Sequence, residues 1–110
     1  MKLNEFKIKL KQFTKMPVAY YEFQQSTPSI PFIVYYEVET NSEFADNQNY
    51  FAMRNINIEL YTGQRDLKIE KLIEDFLDQQ EIAYDTEPPV WLSDEKMFMT
   101  IYNFSIEKEY

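Results

Sequence analysis

The chain of 110 residues contains no cysteine, no histidine and one glycine. Without cysteine there are no disulfides, thiol nucleophiles or cysteine-held zinc sites, and without histidine the commonest general base is missing. An intracellular origin is compatible with that composition, although missing cysteine alone does not assign a compartment. The single glycine, Gly63, rules out a glycine-rich phosphate loop and leaves the turns to Pro, Asn, Asp and Ser. No stretch is long and apolar enough to cross a bilayer. The start, MKLNEFKIKLKQF, spreads lysines where a signal peptide needs an unbroken apolar run. The chain therefore reads as soluble, with no membrane partner.

What is present is a high aromatic content: nine Tyr, nine Phe and one Trp, within 45% hydrophobic residues. This length and apolar content suit one domain, residues 1–110, with a core that needs no staples. The net charge is -8 and it is unevenly spread. Residues 1–16 carry five Lys against one Glu, a local +4, while the other 94 carry six basic and eighteen acidic residues, a local -12. A surface of that sign repels phosphate backbones, so sequence-specific nucleic-acid binding is not expected.

Periodicity supplies the elements. Leu3, Phe6, Leu10 and Phe13 recur at helical spacing and predict a helix over 3–14 that ends before Pro17, although Phe6, Ile8 and Leu10 also alternate. PVAYYEF, 17–23, and PFIVYYEVET, 31–40, are aromatic and β-branched, and predict strands. RNINIELYT, 54–62, alternates with Ile56, Ile58 and Leu60 inward and Asn55, Asn57 and Glu59 outward. The last two runs suggest a hairpin with its tip at 41–49. Asp66 then caps a helix with an apolar stripe of Ile69, Leu72, Ile73, Phe76 and Leu77, and with Glu70 and Glu74 on its exposed side. IAYDTE, 82–87, is a short strand, Pro88 and Pro89 stop pairing, and Trp91 and Leu92 tuck back onto the core. KMFMTIYNFSIEK, 96–108, is the longest strand. The expected order is α-β-β-β-α-β-β: an α+β fold with a mixed, mainly antiparallel sheet of about five strands and two helices packed on one face.

Carboxylates are the only plentiful candidates for chemistry. Glu37 and Glu39 share a strand face with Glu43 and Asp46 nearby, a set that could hold a hard cation. An acidic solvent face is the stronger reading, and neither a calcium-binding loop nor an acidic pair followed by a catalytic lysine is present. No metal, cofactor or catalytic residue is therefore assigned, and the chain is read as a non-enzyme. The tyrosines point elsewhere. Tyr suits positions with one end buried and the other wet, and a two-sided aromatic sheet leaves area for a partner.

PFIVYYEVETNSEFADNQNY, NIELYTGQRDLKIEKLIEDFL and SDEKMFMTIYNFSI together resemble a family of small prophage proteins of Gram-positive hosts. These are related in character to the tail-terminator, tail-completion and head–tail joining proteins of long-tailed bacteriophages. The resemblance covers residues 17–106, and none of its motifs is catalytic. It implies a central sheet with two helices, and a ring, typically a hexamer, that caps the tail tube and presents a surface to the head connector. The partners implied are sister copies, the tail tube protein and a head-completion or connector protein. The location implied is the virion, after the bacterial cytoplasm. By position, Phe44, Asp46, Asn47 and Tyr50 of the polar hairpin match the family pattern, as do Glu59, Leu60, Tyr61, Thr62, Asp66 and Glu70. Gly63, Gln64 and Arg65 depart from it, because relatives are often lysine-rich there.

An interface set follows from that resemblance and from the tyrosines: Phe44, Asp46, Asn47 and Tyr50 at the hairpin tip, with Tyr35 and Tyr61 on the strands. Glu37, Glu39, Glu43, Glu70 and Glu74 are the candidates for an acidic lumen or surface that DNA passes without adhering. A second function from another class fits the same composition: a small acidic phage inhibitor that mimics DNA or blocks a host protein.

Overall fold

The computed structural model describes residues 1–38 and 53–107. The predicted hairpin tip, with Phe44, Asp46, Asn47 and Tyr50, lies outside the described residues, as do Glu39 and Glu43. The fold is α+β. Its elements are α1 Leu3–Thr14, β1 Val18–Tyr20, β2 Phe32–Glu37, β3 Met53–Thr62, α2 Leu67–Gln79, β4 Tyr84–Thr86, β5 Val90–Leu92 and β6 Met97–Glu107. The described strands form one six-stranded mixed sheet in the order β1-β2-β3-β6-β4, with β5 also on β6. β1 runs parallel to β2, and the other pairings are antiparallel.

Local chemistry explains the helix ends. The Asp66 carboxylate accepts from the Lys68 and Ile69 amides at 3.0 and 3.2 Å, satisfying two of the free N–H groups that open α2. α1 closes without glycine. Lys15 takes a left-handed φ of 59° and returns its N–H to the Lys11 carbonyl, while the Thr14 hydroxyl donates to the Leu10 carbonyl at 2.8 Å.

Register assigns each strand residue to a face. Tyr35, Ile58, Tyr102 and Thr86 lie side by side across four strands, and Ile33, Leu60 and Thr100 form the next row. This is the packed face: Ile33, Ile56, Ile58, Leu60 and Tyr102 are fully buried. Phe6 of α1 sits over it, with ring centroids 6.2 Å from Tyr35, 5.2 Å from Phe104 and 5.6 Å from Phe76 of α2. Tilted and edge-on aromatic pairs of this kind each add about 0.5–1.5 kcal/mol beyond the area they bury. α2 meets the same face where the Tyr102 hydroxyl donates to the Glu70 carbonyl at 3.4 Å and to the Glu74 carboxylate at 3.2 Å.

Three expectations change. Trp91 and Leu92 do not fold back onto the core; they belong to β5, and Trp91 is 48% exposed with its ring against Phe98. Between Thr86 and Val90 the outer strand advances four residues while β6 advances three, so Pro88 and Pro89 make a bulge and pairing then resumes. Proline has no N–H to give the ladder, which is why the interruption falls there. Glu70 is not on the exposed side of α2. It is 7% exposed, with Arg65 Nε 3.4 Å from its carboxylate.

Candidate interaction surface

The second sheet face is built from the residues that alternate with the core. Its rows are Phe32, Tyr61, Met99 and Val90, then Val34, Glu59 and Ile101, then Tyr36, Asn57, Asn103 and Asp85. Phe32 and Val34 are buried, whereas Tyr36, Asn57, Glu59, Tyr61, Met99, Ile101 and Asn103 are half-buried.

Glu59 occupies the centre, and both of its oxygens are used. The Tyr36 hydroxyl donates to Oε2 at 2.7 Å and the Tyr61 hydroxyl donates to Oε1 at 2.6 Å. Asn57 Nδ2 donates to the Tyr36 oxygen at 3.3 Å, and Asn103 Nδ2 donates to Asn57 Oδ1 at 2.7 Å and Asn55 Oδ1 at 3.2 Å. Donors thus run in one direction across three strands from Asn103 to the carboxylate. Hydrogen bonds to a charged acceptor are the stronger ones, and a chain of them holds each phenol in one orientation.

Ring packing fixes the same tyrosines from the side. Tyr61 stacks on Phe32 with centroids 5.0 Å apart, Tyr36 stacks on Tyr21 at 5.7 Å, and Phe23 meets Phe32 edge-on at 5.5 Å. Burial pushes the Tyr61 phenol far above its ordinary value, and the bond to Glu59 and the Glu59 and Glu95 charges push the same way. Tyr36 is raised by burial first; the hydrogen bond from Asn57 opposes the rise, and Glu59 adds to it. Both hydroxyls stay neutral donors at ordinary pH. The face presents fixed aromatic rings around one carboxylate, the mixture that favours recognition of another protein.

The residues expected to form an interface divide sharply. Tyr61 stands on this face beside Glu59. Tyr35 does not: it is 3% exposed on the packed face, against Phe6, so it cannot meet a partner in this fold. Of the acidic set, Glu37 is ion-paired with Arg54, Glu70 is buried beside Arg65, and Glu74 is half-buried as acceptor for Tyr102. Among the described residues no group of three or more acidic side chains gathers closely enough to hold a metal ion.

The sequence reading placed Asn55, Asn57 and Glu59 outward but did not combine them with Tyr36 and Asn103. The available signal was the polar side of 54–62, which ends in a tyrosine two residues after its only acid. No protein-family model matches the chain, and no curated protein matches it.

Proposed function

We propose that this chain is a non-enzymatic virion assembly protein of a long-tailed bacteriophage, acting as a ring-forming tail terminator or an adjacent head–tail joining component. Its work is steric and interfacial: it caps the tail tube, stops polymerisation and offers a docking face to the head-completion or connector protein. The observation that carries this reading is the second sheet face, where Glu59 holds Tyr36 and Tyr61 in place at half-burial. Phe6 of α1 and the Glu70 carbonyl of α2 both meet the other face, at Tyr35 and Tyr102, which supports reading this one as the face a partner covers. The resemblance of residues 17–106 to tail-terminator-like prophage proteins supplies the setting.

An acidic passage for DNA belongs to the same proposal, with Glu70 removed from it because its carboxylate is buried, and with Glu37 weakened by its pairing with Arg54. Electron microscopy of lysates from a phage lacking this gene tests the function. Overlong, headless tails identify a terminator, and full heads beside tails of normal length identify a joining protein. Unaltered infectious particles overturn both.

A further inference from the structure

We propose that two copies of this chain join head to tail, with the outward stripe of α1 on one copy seated against the second sheet face of the next. The inference rests on the assembly reading for the purpose of the joint, but it is argued from the charge of the two surfaces. On the sheet face, Glu59 has given one position on each oxygen to a phenol and keeps further lone pairs for an outside donor. The ion pairs among the described residues do not include Glu59. Asp85 lies on the same face, and the charge of Glu95 reaches Tyr61. The strand residues of that face, from Phe32 to Tyr36, Asn55 to Tyr61 and Met97 to Ser105, include no lysine or arginine. Among the described strand residues it is a surface of one sign.

α1 is its complement. Asn4, Ile8, Lys11 and Lys15 recur along one exposed stripe, and Ile8 is 53% exposed in the middle of it. Lys9 lies 3.6 Å from Glu5 and engages the only acid of this segment, while Lys11 and Lys15 enter no ion pair among the described residues. An apolar centre flanked by free ammonium groups fits a half-buried face of Ile101, Met99 and tyrosine rings around a carboxylate. α1 packs against Tyr35 and Phe104, on the side of the sheet opposite Glu59, so the two patches point away from each other on one chain. That placement decides the symmetry. A two-fold dimer through either patch would set acid against acid or lysine against lysine, whereas a head-to-tail contact pairs opposite charges and, repeated by rotation, closes a ring.

Sedimentation velocity of the purified full chain over a range of concentration and salt tests this, with circular dichroism to show that each variant is folded. The expected wild-type behaviour is reversible association that weakens as salt rises. Glu59→Lys and the double variant Lys11→Glu/Lys15→Glu each weaken it by about tenfold or more. An equimolar mixture of the two variants recovers assembly, because each then meets a surface of opposite charge. If Glu59→Lys fails to fold, Ile101→Lys, which removes no side-chain hydrogen bond, takes its place as the sheet-face variant, and the mixture again recovers assembly. A wild-type chain that sediments as a monomer throughout, association indifferent to either variant, or a mixture that stays dissociated overturns the contact. The tail reading is judged separately, by the particles made without the gene. Association through another surface sinks this joint and leaves that reading standing.

Discussion

The two faces of the sheet are made by the same strands, residue by residue in alternation, yet they obey different rules. On β3, Ile56, Ile58 and Leu60 are fully buried, while Asn57, Glu59 and Tyr61 between them are half-exposed and tied to one another and to Tyr36 by side-chain hydrogen bonds. The packed face is held by area and shape, because Phe6, Phe76 and Phe104 exclude water from it. The second face is held by direction, since the Tyr36 and Tyr61 phenols and the Asn57 and Asn103 amides each have a named acceptor. On the proposed reading stability belongs to the first and recognition to the second, and a substitution should reveal which face it touched.

The largest effect is expected from Phe6→Ala. It empties the contact between α1, α2 and the sheet and should lower unfolding free energy by about 3–5 kcal/mol in a denaturant titration. A loss below about 1 kcal/mol would mean that the helices are not held on the sheet by this ring. Next in size is the alkaline response. Tyr61 and Tyr102 are raised in the fold, by burial first, with Glu59 adding to Tyr61 and Glu74 to Tyr102. A raised phenol gives stability that is complete below the unfolded value, about pH 10, and is lost as pH climbs from there toward the folded value. Each such tyrosine should contribute a fall of up to about 1.4 kcal/mol per pH unit in that window. Tyr61→Phe and Tyr102→Phe should each flatten the slope, and an unchanged slope for either would show that its hydroxyl ionises as freely folded as unfolded.

Glu59→Ala should cost only about 1 kcal/mol, because water can reach the two phenols it abandons. A loss as large as that of Phe6→Ala would make the second face part of the core and erase the contrast. The smallest effect is expected from Asn103→Ala, about 0.5 kcal/mol, since the amide it removes links Asn55 and Asn57 at the edge of the network. A native melting curve with weakened partner binding in both variants would sharpen the division.

Much of this architecture was legible before the structure. The helix at Leu3–Thr14 and the capped helix at Leu67–Gln79 follow from apolar spacing of three and four, and the inward set of β3 follows from strict alternation. Strand existence at β4 was readable from a short β-prone run ahead of two prolines. β5 was not, because Val90–Leu92 is too short to show a period and forms only by pairing with Met97–Met99. Tyr35 was assigned to an interface because tyrosine suits positions with one end buried and the other wet, and nothing local says that its side of β2 lies under Phe6. Glu70 was read as solvent decoration because it carries a charge, and Arg65 beside it is part of what allows that residue to lie at 7% exposure.

The sequence by itself determined the period of the longer elements, the absence of cysteine and histidine chemistry, and the contrast between a basic first helix and an acidic remainder. Those are properties of neighbouring residues and of composition, which need no fold to exist. Tertiary structure decided that Tyr36 would reach Glu59 across 23 residues, that Asn103 would reach Asn57 across 46, and that α1 would lie on the side of the sheet away from both. Hydrogen bonds and charge patterns of that kind depend on strand register and on which face is packed. Both are set by pairing between distant segments, whose closure no local period encodes.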